Sequence, residues 1–293
     1  NQSLKIIFMG TPEFAVPTLQ ALLRAGHVIS MVVTQPDRPK GRGRKTLPTP
    51  VKAAAIDLGL SVEQPSTVRS ADFVTRLKKL APDLFVVVAM GQILSQELLD
   101  IPRLGAINVH ASLLPKYRGA APIQWALING EQETGITTML MDAGLDTGDM
   151  LLSTHTDITP EDTAQTLHDR LSTLEADLLV ETIDGLIANT ITPVPQDHEQ
   201  ASKAPLLKKA DGRIDWQKPA RAIDTFIRGM TPWPGAFSFM GTKRLKIFAA
   251  RPVPLTSPAP PGTVIKGFSN ELRVATGDQA LSILELQAAS GKR

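Results

Sequence analysis

Apolar runs at residues 6–9, 28–33 and 84–89 alternate with helical patterns at about 13–24, 51–58 and 71–80. No other feature narrows the possible folds as much. Strand-like runs separated by amphipathic helices predict a parallel sheet with helices on both faces. The expected fold class is α/β, a Rossmann-like, mostly parallel sheet. Thr49-Pro50 supplies a capping hydroxyl and a first-turn proline for one of those helices. Residues 106–110, 136–141 and 150–154 read as further strands. Thr159-Pro160-Glu161-Asp162 reads as a capping-box-like start to a long helix running to about Gly185.

Beyond this region the texture changes. Pro193, Pro195 and Pro205, with a polar stretch between them, mark a linker. Short strand-like runs at 245–249, 262–265, 271–275 and 281–286 follow a helical pattern at 220–228, and such spacing suggests a small β-barrel of OB-like type. The domains expected are 1–189, a linker at 190–205, and a barrel at 206–293. The charge is split the same way. From Pro205 onward there are 14 Lys+Arg against 6 Asp+Glu, and before it 17 against 23. A basic tail behind an acidic head points to a polyanionic partner.

Composition excludes several chemistries. The chain has 293 residues and no cysteine, so disulfides, thiolate nucleophiles and cysteine zinc sites are ruled out; separately, no metal is expected. That usage is compatible with the cytoplasm, the location expected here. The run at 4–9 is too short for a signal-peptide core, and no stretch reaches transmembrane length. Gly10-Thr-Pro-Glu-Phe-Ala15 follows the first strand but carries one glycine of the three in a dinucleotide fingerprint, which argues against a nicotinamide or flavin site.

The chemistry concentrates in residues 105–122, GAINVHASLLPKYRGAAP. Asn108 and His110 are two apart in a strand, so both side chains leave on one face. Pro115 and Gly119 then shape a cationic loop. Further on, Asp142, Asp146 and Asp149 share eight positions with two glycines, a turn able to bring Asp146 against His110. Asn, His and Asp suffice for acyl transfer to an amine: amide and imidazole flank an oxyanion position, and the carboxylate takes the amine proton. Asp142 and Asp149 read as turn-capping carboxylates. Residues 38–45, RPKGRGRK, hold five cations and no acid; this suits a loop that orders on a phosphate backbone.

These motifs resemble the 10-formyltetrahydrofolate-dependent formyltransferases, and residues 8–15, 34–44 and the basic C-terminal segment look like the members acting on methionyl-tRNA. The resemblance implies that Asn108, His110 and Asp146 are catalytic. It implies a folate cleft lined by Met90, Gly91, Gln92, Ile93, Ser112, Leu113, Leu114, Pro115, Asp142 and Gly144, with 10-formyltetrahydrofolate as formyl donor. It implies that Arg38, Lys40, Arg42, Arg44 and Lys45 touch initiator methionyl-tRNA, that the barrel grips the arm behind, and that the protein is a monomer. The chain stops at Arg293, short of the family's usual C-terminal segment, so the last domain is expected to be truncated. The residues themselves leave the acceptor open, with amino sugars, nucleotide sugars or water as alternatives, or a non-catalytic nucleic-acid-binding module.

Overall fold

Strands that are apolar at every position need cover on both faces, and the computed structural model, which describes residues 2–40 and 45–288, shows such a sheet. After β1 (Lys5–Gly10) come a short 3-10 turn, α1 (Val16–Arg24) and β2 (Val28–Val33). A hairpin of β3 (Arg38–Lys40) and β4 (Lys45–Leu47) precedes α2 (Pro50–Asp57), β5 (Val62–Glu63), α3 (Ala71–Leu80) and β6 (Leu84–Val88). Then follow α4 (Gln96–Leu99), β7 (Ala106–His110), α5 (Pro122–Ile128), β8 (Glu133–Leu140), β9 (Met150–Asp157) and α6 (Ala164–Ile187).

Seven strands form one sheet in the order β5-β2-β1-β6-β7-β8-β9. The first five pair in parallel, and β8 runs antiparallel to β7. Side chains alternate across it. Ile7, Met9, Met31, Val33, Phe85 and Val87 share one core cluster with Phe73, Val74 and Leu77 of α3, while Ile6, Phe8, Leu84 and Val86 are buried on the opposite face. The chain winds outward from β1 through β2 to β5, then returns to β6 beside β1. A parallel sheet that reverses in this way opens a crevice at the carboxyl ends of its central strands. The loops after β1 and β6 meet there, where the Thr11 hydroxyl donates to the Met90 carbonyl at 3.2 Å.

Local capping follows the sequence at one helix and departs from it at another. Thr49 Oγ1 accepts from Lys52 N at 3.1 Å, as the cap of α2 should. The long helix α6 begins later than Thr159-Pro160 suggests. Asp162 folds back to accept from Thr159 N at 2.8 Å, closing a turn, and Thr163 Oγ1 accepts from Thr166 N at the true start. The hydroxyl nearest the first helical residue therefore does the capping.

The chain divides into two compact units, neither continuous: Asn1–Arg118, Gly135–His155 and Asp169–Lys203 form one, and Gly119–Thr134, Thr156–His168 and Ala204–Arg293 the other. The second unit contains α7 (Ala220–Met230) and the strands β10 (Ala236–Met240), β11 (Lys243–Val253), β12 (Val264–Ile265), β13 (Leu272–Ala275) and β14 (Ala280–Ala288). Sequence reading missed β10. The five strands are antiparallel in the order β10-β11-β14-β13-β12 and curl into a half-barrel. Register shifts around Ala249 let β11 bend. Ile223, Ile227 and Met230, one stripe of α7, pack with Ile247, Val274, Leu281 and Ile283 of the sheet. On its other side α7 meets α5 so closely that a Cβ on Gly229 would lie 2.7 Å from Ile128 Cγ1.

Candidate active site

Strand β7 carries the first two residues of the site. Its two-residue repeat sends the Asn108 and His110 side chains to the same face, and both residues are buried, at 9% and 6% exposure. The turn between β8 and β9 folds back across that face. There the Asn108 amide Nδ2 donates to Asp146 Oδ1 at 3.3 Å, and His110 Nδ1 lies 3.8 Å from Asp146 Oδ2. Amide, imidazole and carboxylate thus meet inside the first unit.

The imidazole's orientation follows from its partners. Nε2 lies 2.8 Å from the Tyr117 carbonyl, which can only accept, so Nε2 carries a hydrogen. That leaves Nδ1 toward Asp146, as acceptor when the ring is neutral and as donor when it is charged. Both supports of this geometry hold unusual backbone. Tyr117 has φ 60° and Asp146 φ 54°, a left-handed region that costs non-glycine residues of the order of 1 kcal/mol or more and clusters at functional sites. Gly148 is required beside them, since a Cβ there would stand 1.7 Å from the Leu140 carbonyl oxygen.

The residues expected to hold the folate lie on three segments. Ser112, Leu113, Leu114 and Pro115 follow β7; Ser112 Oγ donates to the Lys116 carbonyl, and Thr137 Oγ1 bridges the Ser112 carbonyl and Leu114 N. Those contacts make the loop rigid. The Met90 carbonyl accepts from both Thr11 and Gln35, and Gln92 accepts from Val68 N at 2.9 Å, so the Gln92 amide braces a neighbouring loop. Gly91 is exposed at φ 76°. Asp142 Oδ1 accepts from Gly144 N and from the Thr147 hydroxyl, so the carboxylate caps its own turn. Ile93 and Leu145 are left 63% and 65% exposed.

The basic stretch is not a plain loop over its described part. Arg38 pairs with Leu47 and Lys40 with Lys45 across the β3–β4 ladder; Arg42 and Arg44 lie outside the described residues. Arg38 Nη2 donates to Gln35 Oε1 at 3.3 Å. At the root of the hairpin, hydrogen bonds from the Lys52 ammonium and the Gln64 amide hold the Asp37 carboxyl below the usual carboxylate range. Among the described residues no group of three or more His, Cys, Asp or Glu is placed to hold a metal ion, and no helix is long and apolar enough to cross a membrane.

Residues 4–183 match the family model described as formyl transferase, and residues 206–293 match the one described as formyl transferase, C-terminal domain. The chain belongs to the formyl transferase family. It is 52% identical over 290 residues to the methionyl-tRNA formyltransferase of Citrifermentans bemidjiense, covering 99% of this chain and 91% of the relative. It is 53% identical over 290 residues to that of Solibacter usitatus, covering 99% and 93%. Among solved structures, the N-formyltransferase from Helicobacter canadensis in complex with folinic acid and dTDP-3-aminofucose aligns with TM-score 0.72 at 20% identity, over 97% of this chain and all of that one. HypX from Aquifex aeolicus in complex with tetrahydrofolic acid aligns with TM-score 0.66 at 16% identity, over 99% of this chain and 45% of that one. These two likenesses are of fold.

In this formyl transferase, sequence reasoning passed over three groups that touch the site: the Tyr117 carbonyl behind His110, Gln196, and Ser202, whose hydroxyl accepts from Tyr117 N at 2.9 Å. The last two lie in the stretch that reads as a linker. Val194 of that stretch pairs with Met150, and Gln196 is buried. No local pattern marks a buried glutamine between prolines, so the sequence offered no signal for it.

Proposed function

We propose that this chain transfers the formyl group of 10-formyltetrahydrofolate to the α-amino group of methionine on initiator tRNA. The observation that carries this reading is the meeting of the Asn108 amide, His110 Nδ1 and the Asp146 carboxylate over one face of β7. Membership of the family and the relatives named methionyl-tRNA formyltransferase support it.

Attack of the amine on the formyl carbon places negative charge on the formyl oxygen and positive charge on the nitrogen. One Asn108 N–H is engaged with Asp146, which leaves the second for that oxygen. A proton on His110 Nδ1 supplies a further donor, and the Asp146 carboxylate beside it accepts the ammonium proton; collapse of the adduct then breaks the bond from the formyl carbon to the folate nitrogen, to which Asp146 returns that proton. Burial of Asn108 and His110 strengthens each of these interactions by excluding water. On this reading Met90, Gly91 and Ile93, with the 112–115 loop and the Asp142–Gly144 turn, hold the folate, and the β3–β4 hairpin with the basic half-barrel unit meets the tRNA.

The deciding experiment measures tetrahydrofolate release from 10-formyltetrahydrofolate with methionyl initiator tRNA, with a nucleotide-linked amino sugar, and with neither. Release is expected with the charged tRNA alone. Equal release with the amino sugar would reassign the acceptor, and no release under any condition would leave a binding module.

A further inference from the structure

A second set of hydrogen bonds holds the site from behind. The Gln196 amide is 5% exposed, and its Nε2 donates to two carbonyls of the Asp146 turn, Asp146 O at 2.9 Å and Gly148 O at 2.7 Å. Its Oε1 accepts from Arg118 Nε at 3.0 Å and Arg118 Nη2 at 2.6 Å. Carbonyls only accept and a guanidinium only donates, so this amide has one orientation, with all four of its hydrogen-bonding positions filled. A few residues on, Ser202 holds the neighbouring peptide: its Oγ accepts from Tyr117 N and its carbonyl from Arg118 N. The stretch from Gln196 to Ser202 therefore grips the peptide of each residue that aims a reacting group, Asp146 directly and His110 through the Tyr117 carbonyl.

We infer that Gln196 is a positioning residue for formyl transfer, fixing the Asp146 carboxylate against His110 by tying the Asp146 turn to Arg118. The inference rests on the proposed function, in which Asp146 and His110 face the reacting carbon. Its physical content is the left-handed backbone of Asp146. An aspartate relaxes from that region unless its surroundings hold it, and the Gln196 bond falls on the Asp146 carbonyl itself. Without it, the 3.3 Å and 3.8 Å separations to Asn108 and His110 lose a restraint that comes from outside the turn. A shift of the order of 1 Å at a reacting group costs on the order of 100-fold in rate.

The test compares Gln196→Met, which keeps volume and removes the hydrogen bonds, with Asp146→Asn and with Glu199→Ala as a control, in the full chain with both substrates. For Gln196→Met, kcat should fall roughly 10- to 100-fold, with KM for the folate and for the charged tRNA within about threefold of the unmodified protein. Here kcat is taken per folded protein, with the folded fraction read from far-UV circular dichroism at the assay temperature, so a loss of stability alone leaves it untouched. A folded Gln196→Met protein with kcat within threefold overturns the inference. Should that variant fail to fold, Arg118→Lys serves instead: it keeps the charge and removes the guanidinium fork, so the same fall in kcat is expected, and a normal kcat overturns the idea. Turnover retained by Asp146→Asn would refute the functional reading itself, whereas loss there with Gln196→Met intact would refute only the role of Gln196.

Discussion

Glu175 offers the sharpest test of the energetics. It lies on α6 with no solvent exposure, accepts from the Thr18 hydroxyl at 2.7 Å through Oε1, and leaves Oε2 buried without a partner among the described residues. Burial pushes its carboxyl well above the usual carboxylate range, against a smaller opposing effect of the Thr18 bond. The folded state therefore keeps a proton that the unfolded chain releases near pH 4.5. Between that pH and the raised folded value, the native state binds more protons, so stability falls as pH rises, by about 1.4 kcal/mol for each pH unit. Glu175→Gln keeps the acceptor for Thr18 and cannot ionise. The variant should gain on the unmodified protein as pH rises, by that same increment per unit, or roughly 3–5 °C in melting temperature at the usual scaling for a domain of this size. The assay is urea unfolding at pH 5, 6, 7 and 8 followed by far-UV circular dichroism. Tryptophan fluorescence does not serve, because Trp125, Trp216 and Trp233 all belong to the other unit. Parallel pH curves for the two proteins would refute the reasoning.

Asn108→Ala should lower kcat by roughly 100- to 1,000-fold, the usual cost of one oxyanion donor, with circular dichroism unchanged; near-normal turnover would remove this amide from the mechanism. Gly229→Ala drives a Cβ into Ile128 Cγ1 at 2.7 Å and the Gln124 carbonyl oxygen at 2.9 Å. Separating the two helices should cost about 1–3 kcal/mol, read as a lower urea midpoint in tryptophan fluorescence, since Trp125 sits on α5. Reversing Arg42 and Arg44 together to glutamate should reduce the slope of log affinity for tRNA against log salt by about 0.7–0.9 for each phosphate no longer neutralised; an unchanged slope would remove those two cations from the tRNA interface.

What could be read without coordinates was whatever repeats locally. The apolar runs of β1, β2 and β6 pointed to the parallel sheet because a strand covered on both faces shows few polar positions. The pair Asn108 and His110 could be assigned to one face because a strand alternates with period two, a rule needing no knowledge of neighbours. Thr49 capped its helix as its type and place suggest, whereas Thr159 lost that role to Thr163 once Asp162 closed a turn. The strand β10 escaped notice because its exposed end, with Phe239 and Met240 open to solvent, blurs the alternation.

By itself the sequence determined the α/β class, the strand that presents an amide and an imidazole side by side, and the acidic turn able to answer them. Only the tertiary structure decided that Tyr117 would take one imidazole nitrogen, that Gln196 would return from a polar, proline-rich stretch to grip the Asp146 turn, and that Glu175 would be sealed against Thr18, 157 positions away. The reason is physical. Propensity and periodicity act over a few residues and are written wherever they act, whereas a hydrogen bond between distant segments depends on the path the whole chain takes and leaves no mark on either segment alone.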